Sequence, residues 1–268
     1  MTDFEKSYGL LTELSGIEET RNPARQRHLR ASDAFRWLRL GLRDFMIRPW
    51  LSVAYGLAMT AASAFLIWLL FTLALDYIMF PALAGFMIVG PVLAVGLYEK
   101  SRAIERGERP TLRRMLSVQP RAGAHIFFTG LLLCLVMLLW MRAAVLIYAL
   151  FFGIRPFPGL DRIAYVLLTT PEGYGLAIIG TLVGGLFAAF SFAISALSIP
   201  MLLDQRVDAL TAMATSMATV WNNLTPMLMW GVIVLALFAF SIMTGLFGLI
   251  VVFPLLGHAT WHAYKALC

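Results

Sequence analysis

The chain has 268 residues and a mass of 29.8 kDa; 60% of its residues are hydrophobic, only 13% are charged, and the mean hydropathy is +0.80. Soluble proteins are about half apolar and a quarter charged, and their surfaces need polar side chains. The composition therefore excludes a soluble protein and predicts an integral membrane protein. Because the net charge of +6 accompanies long apolar segments, it indicates a lipid bilayer with anionic headgroups as the partner, and no nucleic acid.

The N-terminal segment, residues 1–31, is polar and of mixed charge and has no apolar stretch of the kind found in signal peptides. We predict a disordered cytoplasmic tail there and a single membrane domain over residues 32–268. The two cysteines, Cys134 and Cys268, do not have the spacing of a metal site and are predicted to be reduced thiols.

Apolar segments of about 20 residues, the length that crosses a hydrocarbon core, recur along the chain. Four predicted spans cover residues 51–75, 79–97, 126–152 and 174–203. As one helix, the apolar stretch 227–267 would measure roughly 60 Å, about twice the bilayer core. We therefore divide it at Ser241–Gly245 into a fifth span, 227–241, and a sixth, 245–264; one kinked helix is the alternative. The predicted fold class is all-α: a polytopic membrane helix bundle with six transmembrane helices in three hairpins.

The distribution of basic residues predicts the orientation. Of the 21 Lys and Arg residues, nine lie in residues 1–50 and seven between the second and third spans. Cytoplasmic loops carry the excess of Lys and Arg in membrane proteins. The N-terminus is therefore predicted to be cytoplasmic, and with six spans the C-terminus is too.

Amphipathic segments lie between the spans. Asp33–Met46 is predicted to be a basic interfacial helix whose apolar face consists of Ala34, Trp37, Leu38, Gly41, Leu42 and Phe45. Asp208–Asn223 shows the same pattern more weakly, and Thr111–Val118 precedes the third span. The segment Gly153–Gly173, which contains three prolines, is predicted to be an ordered surface loop.

Each even-numbered span contains a proline that is followed eight residues later by a polar side chain. The pairs are Pro91 and Glu99, Pro200 and Asp208, and Pro254 and His262. Reuse of one structural unit at a regular period produces such patterns. We interpret the chain as three repeats, residues 32–108, 109–205 and 206–268; chance spacing of common prolines is the alternative.

Three stretches of sequence resemble a known family. They run from Gly85 to Pro110, from Ser198 to Asp204, and from Gly257 to Tyr264. Together they are similar to a family of bacterial integral membrane proteins called domain of unknown function 2189, over nearly everything from about Ser32 onward. The resemblance implies a location in the bacterial inner membrane. The family has no established catalytic residue to carry over, and some members bear a label that links them to cytochrome c oxidase subunits.

His258 and His262 are four residues apart and therefore share one face of the sixth span. Imidazole is the commonest metal ligand, so the pair is a candidate metal site. A third ligand must come from another helix, and the candidates are Glu99, His125 and Asp208. The alternative is that the two rings make ordinary contacts at the end of the helix.

Other charged residues also suggest sites. Arg142 lies inside the third span and could snorkel to the headgroups or pair with Asp76 at the same face of the membrane. The charge run Glu99–Glu108 is interpreted as a solvated helical extension with ion pairs Glu99–Arg102 and Glu105–Arg109, or alternatively as a docking or lipid-headgroup site. Gly180 and Gly184 form a small-residue face that favours close helix packing.

The sequence contains no Gly-rich phosphate loop, no Ser/His/Asp set and no dinucleotide-binding motif, so an enzyme is the least supported class. No cofactor is implied. We expect a non-enzymatic accessory or assembly factor of a membrane complex, with a membrane-protein partner or a second copy of the chain; the resemblance to the family, through the label of some members, implies a respiratory oxidase as a candidate for that complex. The alternative is a small transporter or channel, which the repeats and the proline-interrupted spans would suit.

Overall fold

A computed structural model describes residues 29–118 and 120–268, apart from the side chains of Asp76, Leu160 and Asp161. Within these residues all the regular secondary structure is helical, which confirms the predicted all-α class. The predicted disorder of the N-terminal tail concerns residues 1–31, of which residues 1–28 lie outside the described part of the chain.

Twelve α-helices follow one another in the described residues. They are α1 Asp33–Met46, α2 Pro49–Thr72, α3 Met79–Leu93, α4 Val95–Glu105, α5 Leu112–Leu116, α6 Gly123–Phe152, α7 Leu160–Thr169, α8 Pro171–Ser195, α9 Ser198–Asp204, α10 Ala209–Asn222, α11 Leu224–Met243 and α12 Leu249–Leu267. A short 3-10 helix, Asp76–Ile78, joins α2 to α3. The predicted interfacial helix has the bounds of α1.

Among the residues that the structure describes, five helical segments are long and apolar enough to cross a membrane: Pro49–Thr72, Met79–Glu105, Gly123–Phe152, Pro171–Asp204 and Leu224–Met243. Two of them combine consecutive helices, α3 with α4 and α8 with α9. The chain is therefore a multi-pass integral membrane protein. Helix α12 is not among the five segments, since its C-terminal half carries His258, His262 and Lys265.

The long apolar stretch near the C-terminus is not one helix. Helix α11 ends at Met243 and α12 begins at Leu249, so the stretch is divided as predicted, with the break at residues 244–248 rather than at Ser241–Gly245; a sixth crossing stays a prediction. Gly245, with φ 63°, adopts the left-handed conformation that glycine tolerates best. Gly248 lies against Ser241, where a Cβ would come within 2.8 Å of the Ser241 Cα. This tight turn lets α12 pack against α11.

Two of the apolar segments are interrupted in their second half, and side chains compensate the interruptions. Between α3 and α4, the Tyr55 hydroxyl donates to the Leu93 carbonyl oxygen at 2.7 Å. Between α8 and α9, Ser216 Oγ accepts from the Leu197 N–H and donates to the Ala193 carbonyl oxygen. Backbone groups freed inside a membrane need such partners, because lipid offers none.

The segment Gly153–Gly173 is more ordered than a surface loop. It contains α7, whose Ile163 is buried, so the loop prediction is wrong for this part of the segment. Gly173, in the first turn of α8, lies directly against the Val166 carbonyl of α7. Close packing of α7 on α8 thus buries Ile163, whereas Tyr165 and Leu168 stay 70% and 69% exposed.

Helix α12 lies at the centre of the packing and contacts α1, α2 and α4. Glycines allow the close approach: a Cβ on Gly41 of α1 would meet the Ala259 backbone at 2.6 Å, and one on Gly56 of α2 would meet the Ile250 carbonyl oxygen at 2.1 Å. Most of the predicted apolar face of α1 is buried, but Leu42 is 45% exposed, and Trp37 packs on Trp230 of α11 rather than on lipid. Helix α1 is therefore an integral part of the core.

The short helices that open the three predicted repeats pack in a cyclic order. Helix α1 lies on α12, α5 lies on α4, and α10 lies on α8 and α9. Each opening helix thus contacts the last segment of the preceding unit, with the first unit contacting the third. A threefold repeat would produce this order, and the repeat itself stays a prediction.

Candidate functional site

A chain of buried polar side chains connects four helices at one end of the bundle. Helix α1 contributes Asp44 from its last turn, and α2 contributes Ser52 from its first turn. Helix α4 contributes Lys100 and Ser101, and α12 contributes the predicted pair His258 and His262. All of these residues are buried except His262, whose side chain is 22% exposed. We call these six residues the histidine cluster.

The hydrogen bonds of the histidine cluster run in sequence. Ser52 Oγ lies 2.7 Å from Lys100 Nζ and 2.9 Å from His258 Nε2. On the other side of the ring, His258 Nδ1 lies 2.9 Å from Ser101 Oγ. Ser101 also hydrogen-bonds to the Asp44 carboxylate, whose Oδ2 is 2.8 Å from His262 Nε2.

The contacts of the histidine cluster form one continuous series. The Lys100 ammonium can only donate, so Ser52 Oγ accepts from it. Both ring nitrogens of His258 lie within hydrogen-bond distance of a serine hydroxyl, Nε2 of Ser52 and Nδ1 of Ser101. The two serines and the ring therefore connect the buried Lys100 to the region of Asp44.

Lys100 also holds the junction between α1 and α2. Its ammonium lies 3.4 Å from the carbonyl oxygens of both Phe45 and Arg48, in addition to its bond with Ser52. An ammonium has three donors, and these three acceptors use all of them. Arg48 is a left-handed residue with φ 53°, and its guanidinium donates to the Pro110 carbonyl oxygen at 3.1 Å. A buried cation thus donates to the Phe45 carbonyl in the last turn of α1 and to the Arg48 carbonyl, which also accepts from the Leu51 N–H.

The electrostatics of the cluster favour the ionised form of Asp44. Burial tends to raise the pKa of the Asp44 carboxyl, but hydrogen bonds from His262 and Ser101, together with the two nearby histidines, lower it more. The pKa therefore lies below its ordinary value of 3.8. A carboxylate that accepts such hydrogen bonds stays charged.

A second polar region lies beside the cluster, between α4 and α5. It is a cavity of about 530 Å³ lined by Glu99, Arg102, Arg106, Thr111, Arg113, Arg114 and Ser117, which we call the arginine cavity. Glu99 is buried and pairs with Arg102 at 2.5 Å and with Arg114 at 2.7 Å. Arg114 also pairs with Glu108, and hydrogen bonds to Glu99 and Glu108 raise the pKa of its guanidinium. This cavity, in contrast to the cluster, is open.

An outer group of charges closes the same end of the molecule. Glu105 accepts from the Trp261 indole at 3.1 Å and pairs with Lys265 at 3.2 Å. Asp204, at the end of α9, pairs with both Lys265 and Arg106 at 3.5 Å. The ends of α4, α9 and α12 therefore meet here.

The structure brings only part of the predicted metal site together. His258 and His262 do share a face that packs on the protein. Glu99, however, is engaged by arginines, His125 is exposed at the start of α6, and Asp208 accepts from the Thr211 N–H to cap α10. Among the described residues, no group of three or more His, Cys, Asp or Glu side chains lies close enough to hold a metal ion. Metal binding stays a prediction; the geometry supports a hydrogen-bonded chain.

Two further predicted sites can be located. Arg142 is exposed on α6. The side chain of Asp76 is outside the described residues, so the pairing of the two stays a prediction.

On α8, Gly184 packs against Trp140 of α6, while Gly180 faces open space. Part of the small-residue face thus serves helix packing within the chain.

The charge run Glu99–Glu108 differs from its sequence-based interpretation. The predicted pair Glu99–Arg102 forms, but Glu99, Lys100 and Arg102 are buried rather than solvated. Glu105 pairs with Lys265 instead of Arg109. Residue spacing within one helix does not predict this burial, because the helices that cover the run, α1, α9 and α12, come from distant parts of the chain.

Sequence reasoning also missed Asp44, Ser52, Lys100 and Ser101 as site residues. One signal was present: Asp44 is three residues from Gly41 and seven from Trp37, on the otherwise apolar face of α1. An acidic side chain on a buried helix face calls for a partner.

Comparison with known proteins gives one result. Residues 78–204 match the model of the family described as predicted integral membrane protein, domain of unknown function 2189. Two of the three stretches on which the resemblance rests, Gly85–Pro110 and Ser198–Asp204, lie inside the match, and Gly257–Tyr264 lies outside it. Neither the curated proteins nor the solved structures give a significant match. The resemblance to this family of integral membrane proteins is thus confirmed over residues 78–204.

Proposed function

We propose that the protein is a non-enzymatic accessory or assembly factor of a membrane complex, and that a respiratory oxidase is the first complex to test. The observation that carries this proposal is the closed histidine cluster. Both ring nitrogens of His258 and all three donors of Lys100 bond to groups of the same chain. Such groups hold helices in register, whereas a catalytic group must reach a substrate.

The apolar part of the bundle supports the same proposal. A cavity of about 130 Å³ lies between the spans, and most of its wall is apolar, with Phe86, Trp230 and Phe253 among the lining residues. A polar solute would need hydrogen-bonding groups along its path. One observation favours the alternative, a small transporter: Ala94 and Ala196, at the two helix breaks, both line this cavity. Broken helices surround the site in many transporters.

We further propose six crossings with both termini in the cytoplasm. The contacts Asp44–His262 and Lys265–Glu105 support this topology, because they join the region just before α2 to the ends of α4 and α12. With 19 residues, α12 is about 28 Å long, close to the thickness of a hydrocarbon core. The arginine cavity lies at this end, and basic residues favour the cytoplasmic side.

Thiol labelling tests the topology. Cys134 and Cys268 are exposed and not disulfide-bonded, so a Cys134→Ser background leaves Cys268 as the reporter. In intact spheroplasts a membrane-impermeant maleimide should leave Cys268 unlabelled, and permeabilisation should expose it. Labelling of intact spheroplasts would place the C-terminus outside and reduce the crossings to an odd number.

Assembly measurements test the function. We expect deletion of the gene to lower the haem spectrum and subunit content of the assembled oxidase, and the wild-type chain to restore both. In mild detergent the chain should co-purify with oxidase subunits. A normal oxidase in the deletion strain would refute the oxidase assignment. Solute flux through liposomes that contain the purified chain, absent from empty liposomes, would favour the transporter.

A further inference from the structure

The arginine cavity has the composition of an anion site. Its seven lining residues include four arginines, one glutamate and the hydroxyls of Thr111 and Ser117. Guanidinium groups are planar donors that match the oxygens of a phosphate in pairs. At about 530 Å³, the cavity far exceeds the roughly 30 Å³ that one water molecule occupies, so it can admit a polyatomic anion with part of its hydration.

The charges around the cavity do not cancel. Glu99 lies in the wall, and Glu108 and Asp204 pair from outside it with Arg114 and Arg106. Three carboxylates thus face four arginines. No ion pair joins Arg113 to a residue that the structure describes. Arg113 is therefore the cation that an incoming anion can neutralise without breaking an existing pair.

The surroundings of the cavity indicate where this anion comes from. Helix α4 is the end of the apolar segment Met79–Glu105, so the cavity lies where a membrane-spanning segment leaves the hydrocarbon. On α5, Leu112 and Leu116 are four residues apart and expose 39% and 71% of their surface, beside Arg113. Exposed leucines next to arginines suit a boundary with acyl chains on one side and phosphates on the other.

We propose that the arginine cavity binds the phosphate group of an anionic phospholipid, with Arg113 as the principal contact and Arg106, Thr111 and Ser117 as further donors. The acyl chains of this lipid lie along Leu112 and Leu116. The site shares no residue with the histidine cluster.

Lipid titration of the full-length chain tests this proposal. The purified protein in detergent is titrated with phosphatidylglycerol, phosphatidylcholine or inorganic phosphate, and binding is followed by native mass spectrometry and by the thermal unfolding midpoint. We expect phosphatidylglycerol alone to bind and to raise the midpoint. Loss of one charge-assisted contact in Arg113→Gln should weaken this binding by about tenfold.

Arg109→Gln is the matched control, since Arg109 is exposed in the same segment and is not in the wall of the cavity. It removes the same charge and should leave the affinity unchanged. Equal weakening by both variants would reduce the effect to general surface charge and overturn the proposal. Equal stabilisation by phosphatidylcholine would do the same. Stabilisation by inorganic phosphate, with none from phosphatidylglycerol, would overturn the lipid assignment. An unchanged midpoint of Arg113→Gln without lipid shows that the variant is folded.

Discussion

The histidine cluster and the arginine cavity lie at the same end of the protein and share α4, yet they are built in opposite ways. In the cluster, four helices surround the polar groups, and the contacts from Lys100 to Asp44 form one continuous series. In the cavity, the guanidinium groups of α4 and α5 face an open space, and Arg113 is exposed. The cluster therefore contributes stability, whereas the cavity retains capacity for a ligand.

The largest expected effect is that of Lys100→Met. The change removes three hydrogen bonds and leaves the carbonyls of Phe45 and Arg48 without their buried donor, so we expect the free energy of unfolding to fall by about 3 kcal/mol. Titration with a denaturing detergent in mixed micelles measures this free energy. Lys265→Met removes a lysine whose side chain is 39% exposed and should cost less than about 1 kcal/mol. Equal losses would show that the cluster is no more stabilising than the outer charges.

His258→Ala should cause the second-largest loss in the free energy of unfolding. It creates a cavity and deprives Ser52 and Ser101 of their shared partner, which we expect to cost about 2 kcal/mol. His125→Ala, at an exposed position, should stay within about 0.5 kcal/mol of the wild type. Metal analysis of the same preparations checks the metal hypothesis: stoichiometric metal in the wild type that disappears in His258→Ala would contradict the hydrogen-bonded assignment.

Protonation of Asp44 in acid should reduce the stability that the histidine cluster contributes. Since the folded protein lowers the pKa of this carboxyl, the carboxyl stabilises the fold above its unfolded pKa, near 3.8. This contribution is lost as the pH falls through the lower pKa of the folded state. Asp44→Asn should cost about 1 kcal/mol at pH 6 and progressively less toward pH 3. Glu172→Gln, at an exposed position, provides the comparison. If the difference in the free energy of unfolding between the wild type and Asp44→Asn does not decrease in acid, this role of Asp44 is contradicted.

The smallest effect is expected in the cavity. Without anionic lipid, Arg113→Gln should change the free energy of unfolding by less than about 0.5 kcal/mol, because no ion pair to a described residue is lost. The same unfolding titration measures it. A loss as large as that of His258→Ala would mean that Arg113 is structural and that the contrast between the two regions fails.

The two regions also show which features of the structure the sequence pattern predicts and which it does not. The periodicity of Asp33–Met46 predicts the bounds of α1, and the length limit of a bilayer-spanning helix predicts the division between α11 and α12. Spacing also places His258 and His262 on one face. It does not predict the partner of that face, which is Asp44 from α1 rather than Glu99, His125 or Asp208.

The sequence by itself determined the membrane class, the helical fold and the positions of most spans, because transfer into lipid depends on the composition of each local segment. Only the tertiary structure decided which polar side chains are buried and with which partners. Ser52 and Lys100 are 48 residues apart, and Asp44 and His262 are 218 apart. A buried charge is stable only beside its partner, and at these separations the partner is chosen by the packing of α12 against α1, α2 and α4.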